Sequence, residues 1–529
     1  MFQFYVFHTP IPQNCVSRNS ECRAGDSGLA YWTFRSDYRS LGQCGYGSAP
    51  LMLAAFALML LLAGCATAPS NPSLADVPET ALATEPNELD AYIAKADPSY
   101  RYELVEQQQN DAGSISLLRM ISQTWLTEAE VDRPVWEHYL YVYTPKNVAH
   151  ATGLIYVTGG NNDGKKPKVT KDFVDLAAAT QSVVAELRMV PNQPLVFKND
   201  DFGPRTEDEI LAYGWRKYME TKDPKWIFRF AMTKAVVRAM DTVTDFSATV
   251  KGGRTKVEQY VITGASKRGW TTWMSAVADQ RVVAIIPIVI DLLNVERSFV
   301  AHYQRYGFWA PAVGDYYREG LMDRMSDPAY RALMRIEDPF AYRNRLKLPK
   351  FIVNAVGDQF FRPESSRYYF HELLGENRMR YVPNAGHNVS KGTDAMASIA
   401  AYYQAILEDV PRPEMSWTID PKGTMTVTAK QTPVAARLWT GINPKFNDFR
   451  IDSAGPIFQS VELTPTAPNT WEVKTPKPTQ GFAAYFVELE WKGPGPYPFK
   501  FTTDVVTAPD DQLAPPPQHG KTQIGPQKQ

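Results

Sequence analysis

The chain has 529 residues, and its length and charge already exclude some classes of protein. A chain of this length exceeds one ordinary hydrophobic core, so we expect a large and a small globular unit with tails. Its 56 lysines and arginines balance 57 aspartates and glutamates, which leaves a net charge of −1 at pH 7. A near-neutral protein has no overall field to gather nucleic acid or acidic lipid, so no nucleic-acid partner is predicted.

The strongest targeting signal is an apolar run at residues 51–65, LMLAAFALMLLLAGC. It is short for a transmembrane helix and has the length of a signal-peptide core, with a buried apolar helix as the alternative. The ending LAGC is similar to a bacterial lipobox, which implies a lipid anchor on Cys65 and, because Ala66 follows, the periplasmic face of the outer membrane. We predict a leader at 1–65, in which 1–50 is an over-extended gene start or an unusual leader.

All four cysteines lie in this predicted leader, at positions 15, 22, 44 and 65. The mature body is therefore predicted to contain no thiol, which excludes a disulfide framework, a cysteine nucleophile and a cysteine-based metal site. No histidine and acidic residues show metal-ligand spacing such as HExxH, and no glycine-rich phosphate loop appears. We predict no metal and no other cofactor.

Beyond a linker-like stretch at residues 66–87, apolar strands alternate with helical patterns. Two partly alternating stretches, SLLRMISQTW and HYLYVYTP, indicate an antiparallel edge. The runs that indicate buried strands are GLIYVTGG, SVVAELRM, VEQYVITGA, VVAIIPIVID, PKFIVNAVGD and RMRYVPNAG. Helices are predicted at 172–181, 225–246, 267–279, 364–375 and 393–410. The alternation predicts a doubly wound, mostly parallel α/β domain at residues 88–412.

Two aromatic and charged segments, at 190–225 and 291–346, interrupt this alternation after strand ends, where ligand crevices form, and we predict that they are helical lid insertions. From residue 413 to 507 short alternating runs separated by proline, glycine and asparagine predict a small all-β sandwich. The last stretch, 508–529, is rich in proline, glutamine and lysine and is predicted to be disordered.

The chemistry of the chain is indicated first by VITGASKRGW, in which an apolar strand ends at a Gly-x-Ser turn and a helix follows at once. A serine in that place lies on a tight bend with its hydroxyl above the sheet. The common pattern is G-x-S-x-G, whereas here Arg268 is two residues after Ser266 and the glycine is Gly269. The alternative is that Ser266 only caps the helix.

Two later strand ends support the catalytic interpretation. PKFIVNAV continues into Asp358 and RMRYVP continues into His387, so serine, acid and histidine follow in the order of a Ser-Asp-His triad. In such a triad imidazole takes the serine proton, and the carboxylate orients it. Asp291, at the end of VVAIIPIVID, is the alternative acid, but it follows the strand directly after the nucleophile. We predict Ser266, Asp358 and His387 as the catalytic residues.

An oxyanion hole is expected between the backbone N–H of Lys267 and the loop after GLIYVTGG, at Gly160 and Asn161, with a simple glycine turn as the alternative. Lys267 and Arg268 either bind an anionic substrate group or are solvated charges, which a helix N-terminus disfavours. His302 either binds substrate or packs inside the lid. Arg268 and His302 are therefore our candidates for substrate binding.

The stretches EQYVITGASKRGWTTWMSAVADQRVVAIIPIVIDLLN, MVPNQPLVF, EDEILAYGW and VNAVGDQFFRPESS resemble the PhoPQ-activated pathogenicity-related proteins over about residues 90–505. The resemblance implies an α/β-hydrolase-like fold, export and a link to bacterial virulence regulation. The Ser-Lys-Arg-Gly order is also similar to the Ser-Arg-x-Gly elbow of glucuronoyl esterases, where the arginine after serine helps to bind the oxyanion, but Lys267 occupies that place here.

The sequence thus predicts an exported serine hydrolase, an esterase or a peptidase, that acts on a small-molecule, sugar or peptide ester in preference to an amide. A non-catalytic binding or signalling protein on the same scaffold is the alternative, because a fold does not determine a function.

Overall fold

A nine-stranded sheet forms the centre of the α/β part in the computed structural model, which describes residues 74–510 and 513–525. The predicted leader and its Cys65 lie outside the described residues. The strands of this sheet are β1 (Arg101–Asn110), β2 (Gly113–Thr124), β3 (Val135–Pro145), β4 (Thr152–Val157), β5 (Val184–Leu187), β8 (Gln259–Ala265), β9 (Val282–Ile288), β10 (Lys350–Ala355) and β11 (Asn377–Val382). A small separate hairpin supplies β6 (Leu195–Val196) and β7 (Pro204–Arg205).

The order across the large sheet is β1-β2-β3-β5-β4-β8-β9-β10-β11. All pairs from β5 to β11 are parallel, whereas β1, β2 and β3 pair antiparallel with one another and β3 pairs antiparallel with β5. The predicted mostly parallel sheet with an antiparallel edge is therefore confirmed. Sequence patterning missed β1, because RYELVEQQQN is polar and lies at the exposed edge of the sheet.

Helices cover both faces of the sheet, as burial on both sides of a parallel strand requires. They are α1 (Glu88–Ala94), α2 (Lys171–Thr180), α3 (Glu207–Thr221), α4 (Phe228–Ala248), α5 (Lys267–Ala278), α6 (Val295–Tyr306), α7 (Gly314–Arg318), α8 (Pro328–Glu337), α9 (Ala395–Leu407) and the one-turn α10 (Ile451–Ala454). Neighbouring strand residues enter opposite cores: Leu154 packs in the cluster that contains α2 and α9, and Ile155 in the cluster that contains α4 and α5. Within the described residues, no helix is long and apolar enough to cross a membrane.

The two predicted insertions hold α3 and the small hairpin in the first case and α6, α7 and α8 in the second. The helix predicted at 364–375 is wrong: two 3-10 turns, Ser365–Tyr368 and Phe370–Glu372, stand there instead. Tyr369 interrupts them with φ −148° and ψ −29°, outside the helical region. Its hydroxyl donates to the buried Asp291 2.7 Å away, a long-range contact that the local pattern does not contain.

The C-terminal β region contains two antiparallel sheets. Its strands are β12 (Met415–Ile419), β13 (Thr424–Ala429), β14 (Ala435–Asn443), β15 (Gln459–Glu462), β16 (Thr470–Lys474), β17 (Phe482–Trp491), β18 (Phe499–Thr502) and β19 (Val506–Ala508). One sheet has the order β12-β13-β16, and the other has the order β15-β14-β17-β18 with β19 also paired to β17. The region shares a core with the α/β part, as shown by the rings of Phe351 and Phe501, 5.5 Å apart. All described residues belong to one compact unit.

The linker predicted at 66–87 and the tail predicted to be disordered at 508–529 both make specific hydrogen bonds in the parts that the structure describes. In the predicted linker, Thr80 donates to the buried Asp338 at 2.7 Å, and Ala83 N–H donates to the carbonyl of Ala341 at 2.8 Å. In the tail predicted to be disordered, the backbone N–H of Trp309 donates to Gln523 at 2.8 Å. All three hydrogen bonds are made with the second insertion, so polar composition alone did not indicate the contacts of these segments.

Candidate active site

Ser266 occupies a strained bend between β8 and α5. Its backbone has φ 59° and ψ −127°, a conformation that non-glycine residues rarely adopt, and its N–H donates to the carbonyl of Ile288 at 2.8 Å. A Cβ at Gly264 would lie 2.8 Å from the carbonyl oxygen of Arg268, and one at Gly269 would lie 2.8 Å from Ile290 Cγ2. The bend therefore needs both glycines, and Gly269 is required here by close packing rather than by the usual G-x-S-x-G spacing.

Asp358 and His387 lie beyond the ends of β10 and β11 and contact each other directly. The imidazole Nδ1 is 2.8 Å and 3.0 Å from the two carboxylate oxygens of Asp358, and the N–H of Phe360 donates to the same carboxylate at 2.7 Å. The ring of Phe360 lies against the imidazole, with centroids 4.3 Å apart. The contact between Nδ1 and the Asp358 carboxylate assigns the imidazole proton to Nδ1 and leaves Nε2 as an acceptor.

The imidazole Nε2 is buried and makes no hydrogen bond to any described residue. The structure thus joins His387 to Asp358 and places Ser266 at the same edge of the sheet, but it shows no hydrogen bond between Ser266 and His387. Catalytic hydrogen bonds of this kind are often long in a ligand-free state and shorten in the complex with substrate.

Asp291, the alternative acid, makes different contacts. It lies beyond β9, between the strands of Ser266 and Asp358, and accepts hydrogen bonds from the hydroxyls of Tyr369 and Tyr381. Burial raises its pKa to about 8, and the neighbouring Asp358 adds to this shift. Asp358, and not Asp291, is the carboxylate that His387 contacts.

The loop after β4 (residues 158–162, here the oxyanion loop) lies against the bend. Gly160 has φ 125° and is exposed, and a Cβ at Gly159 would lie 2.4 Å from Arg268 Nη2. The side-chain oxygen of Asn161 accepts from Gln193 Nε2 at 3.2 Å. The predicted loop therefore packs on the residue two places beyond Ser266, and its Gly160 is exposed.

Lys267 and Arg268 are paired within the protein rather than free for an anionic substrate. Lys267 Nζ lies 2.7 Å from Glu207 and 3.0 Å from Asp208, and Arg268 Nη2 lies 2.6 Å from Glu207. Arg268 Nε also donates to the carbonyl of Val190 at 2.6 Å. Burial raises the pKa of Glu207, but the two cations outweigh it and hold that pKa well below its usual range.

The sequence patterns did not indicate Glu207 or Asp208 as residues of the site. Both begin α3 in the first insertion, and Glu207 also exchanges hydrogen bonds with Gln193, at 2.7 Å and 2.8 Å. The one available signal was the pair of positive charges at the start of α5, which needs nearby carboxylates because a helix N-terminus disfavours cations.

His302 is a buried packing residue of the second insertion. It is 3% exposed, its Nε2 accepts from the N–H of Ala310 at 3.1 Å, and its ring contacts that of Trp309 with centroids 5.7 Å apart. Burial and the charges of Arg362 and Arg450 lower its pKa to about 3, so it is neutral at pH 7. The predicted role of His302 in substrate binding therefore has no support in its contacts.

The strand order, the strained serine after β8 and the acid and histidine after β10 and β11 define an α/β-hydrolase fold. The chain belongs to the PhoPQ-activated pathogenicity-related protein family, whose model matches residues 89–450, so the family predicted from the sequence is confirmed. Autocrine proliferation repressor protein A of Dictyostelium discoideum is 34% identical over 451 residues, which cover 80% of this chain and 90% of that protein.

Solved structures with lower sequence identity include acetyl xylan esterase 1 from Thermoanaerobacterium sp. JW/SL YS485. It is 14% identical with a TM-score of 0.44, over 63% of this chain and 97% of that one. A glucuronoyl esterase from Solibacter usitatus is 13% identical with a TM-score of 0.36, over 64% of this chain and 99% of that one. At these identities the likeness concerns the fold alone.

Proposed function

We propose that this protein is a serine hydrolase that cleaves an ester, in preference to an amide, through Ser266, His387 and Asp358. The observation that carries the proposal is the imidazole of His387, held by Asp358 on one side with a free Nε2 on the other. It stands at the same sheet edge as a serine in a strained bend. A serine that only capped α5 would not need such a bend, and Ser266 makes no side-chain capping hydrogen bond.

In the proposed reaction, Ser266 Oγ attacks the ester carbonyl carbon while His387 Nε2 takes its proton. Asp358 stabilises the imidazolium, and the N–H groups of Lys267 and Gly160 donate to the oxyanion. Collapse breaks the bond to the leaving alcohol, which receives the proton from His387. Water then attacks the acyl-enzyme with His387 as base, which releases the acid and restores Ser266.

The charges around the serine favour an acyl group without a negative charge. Lys267 and Arg268 contribute two positive charges, and Glu207 and Asp208 neutralise them within 3.0 Å. A substrate carboxylate at this position would have to compete with two protein carboxylates that are already in place. We therefore propose a neutral acyl ester of a small molecule, sugar or peptide as the substrate.

A fluorophosphonate probe tests the proposal, because it labels only an activated serine. Folded wild-type protein should be labelled and should hydrolyse at least one member of a panel of acyl, sugar and peptide esters, and Ser266→Ala should lose both activities. Ser275→Ala is the matched control, since Ser275 is buried in the same helix and donates to the carbonyl of Thr271. Absence of labelling in folded wild type, or equal labelling of Ser266→Ala, would sink the proposal.

We also propose that the chain is exported, that a lipid on Cys65 anchors it to the outer membrane, and that its role concerns the envelope or virulence. Metabolic labelling with a fatty-acid analogue should mark the wild type and not Cys65→Ala. Labelling of both, or of neither, would contradict the anchor.

A non-catalytic signalling role is the second candidate, and two observations favour it. Ser266 makes no hydrogen bond to His387, and the Dictyostelium relative is named as a repressor of proliferation. If this role is correct, Ser266→Ala keeps the cellular phenotype of the wild type. If hydrolysis is the function, Ser266→Ala behaves like the deletion of the whole gene.

A further inference from the structure

One segment of the C-terminal β region lies against both loops that carry the acid and the histidine. This bracing segment, residues 447–458, lies in the connection between β14 and β15 and includes α10. Its Ile451 N–H donates to the carbonyl of Gly357 at 2.9 Å, directly before Asp358. A Cβ at Gly357 would come within 3.1 Å of Ile451, and a Cβ at Gly386 would lie 2.6 Å from Ile451 Cγ2. A single side chain therefore packs on the residues that precede both Asp358 and His387.

A second contact holds the start of the loop that carries His387. Asn384 has the left-handed φ of 54°, and its side chain makes two hydrogen bonds to the backbone of Phe458. Nδ2 donates to the Phe458 carbonyl, and Oδ1 accepts from the Phe458 N–H, each at 2.9 Å. The Asn384 amide thus satisfies both the N–H and the carbonyl of Phe458, which fixes the path of the chain that leads to His387.

A third contact holds the chain that leaves Asp358. Arg362 is 2% exposed, and its guanidinium donates to the backbone carbonyl of Asn447 and, at 2.8 Å, to the Asn447 side chain. Glu364 neutralises it at 2.9 Å. A buried guanidinium loses several kcal/mol of hydration unless its donors are satisfied, so this contact is expected to be specific in geometry.

We propose that the C-terminal β region is a working part of the active site, because its bracing segment positions Asp358 relative to His387. The inference rests on the proposed hydrolase function. A catalytic group must be held within about 0.5 Å of its working position, and a displacement of about 1 Å can cost about 100-fold in rate. Asn384, Ile451 and Arg362 act as positioning residues, since they touch the acid and histidine loops and not the reacting atoms. An independent adhesive domain would need none of these contacts.

The test is Asn384→Gly in the full chain. Glycine adopts the left-handed backbone without strain, so the substitution removes the two hydrogen bonds to Phe458 and keeps the turn. We expect kcat to fall about 10- to 100-fold with KM changed less than about 3-fold, because the misplaced imidazole affects the chemical step rather than substrate binding. Fluorophosphonate labelling of Ser266 should slow by a similar factor.

Asn469→Gly is the matched control. Asn469 also has a left-handed φ, 52°, and lies in the turn between β15 and β16 of the same region. It should keep the wild-type kcat. Asn384→Asp, which retains the acceptor for the Phe458 N–H and loses the donor, should recover part of the rate lost in Asn384→Gly.

A double-mutant cycle provides a test that does not depend on Asn384. Gly386→Ala introduces a methyl group 2.6 Å from Ile451 Cγ2 and should lower kcat, and Ile451→Ala removes that atom and should restore part of it. Effects of the two substitutions that simply add, or an Asn384→Gly enzyme with the kcat of Asn469→Gly, would overturn the inference alone. Unlabelled wild-type protein would overturn the proposed function and this inference together.

Discussion

Ser266 and His387 stand at the same edge of one sheet, yet the residues that hold them differ in kind. Around Ser266, charges dominate, because Lys267 and Arg268 pair with Glu207 and Asp208 of the first insertion. Around His387, backbone hydrogen bonds and close packing dominate, and they come from the C-terminal β region. We therefore expect substitutions in the residues that surround Ser266 to act through loss of charge, and substitutions in the residues that brace the loops of Asp358 and His387 to act through loss of packing.

The largest loss of turnover is expected from a substitution of Asp358, the acid that contacts His387. Asp358→Asn keeps the size of the side chain but removes the charge that stabilises the imidazolium, so kcat should fall about 10³- to 10⁴-fold. Steady-state kinetics and circular dichroism together check that the loss occurs in a folded enzyme. Asp291→Asn is the matched control, because that acid contacts tyrosines and not His387, and it should keep kcat within about 3-fold. The reverse ranking would show that Asp291 is the catalytic acid.

An intermediate effect is expected on the serine side from Glu207→Gln. The substitution leaves Arg268 with no carboxylate partner, loosens its contact with the oxyanion loop, and should lower kcat about 10-fold. Because Glu207 is 37% exposed, the loss in free energy of unfolding should be only about 1–2 kcal/mol, below that of a fully buried pair. Urea unfolding and steady-state kinetics measure the two effects.

The pH dependence of Glu207→Gln follows from the lowered pKa of Glu207 in the folded protein. A carboxylate whose pKa is lowered by folding contributes its full stabilisation at pH values above its pKa in the unfolded chain, about 4.3. This contribution is lost as the pH falls below that value. The stability difference between wild type and Glu207→Gln should therefore shrink below about pH 4. Glu220→Gln, at the exposed end of α3, is the control; equal effects of the two substitutions would contradict a positioning role for Glu207.

Substitution of Asp291, which lies beyond β9 between the strands of Ser266 and Asp358, should have the smallest effect on turnover. For this residue the prediction concerns the free energy of unfolding. Its pKa is raised to about 8 by burial, so the folded state keeps a proton that the unfolded state loses above about pH 4. Wild-type stability should fall as pH rises from about 4 to 8, by up to about 1.4 kcal/mol per pH unit, relative to Asp291→Asn. Urea midpoints at pH 5, 7 and 9 check this, and a difference that stays constant with pH would contradict it.

Much of the site was predictable because its residues follow strand ends. Parallel strands carry their carboxyl ends to one edge of a sheet, so the patterns before Ser266, Asp358 and His387 predict that the three residues share that edge. The contact between His387 and Asp358 agrees with this expectation. The expected roles of Arg268 and His302 do not agree with their contacts, because local sequence does not show which partner a side chain finds.

The bracing contacts and the charge pairs lay beyond prediction for the same reason. Arg268 and Glu207 are 61 positions apart, Asn384 and Phe458 are 74 apart, and Arg362 and Asn447 are 85 apart. The first pair joins the first turns of two helices, α5 and α3, and the other two pairs join irregular loops. Hydrophobic periodicity describes which face of an element is buried, and it contains no information on how two distant segments approach each other.

By itself the sequence determined the alternation of buried strands and helices, the parallel sheet and the residues that stand at its carboxyl edge, because these depend on local patterns of period 2 and 3.6. Only the tertiary structure decided that Asp358 rather than Asp291 meets the imidazole, that the cations beside Ser266 are neutralised, and that Ile451 packs against both triad loops. Those outcomes depend on distances between segments that are far apart in the chain, and packing of the whole molecule sets these distances.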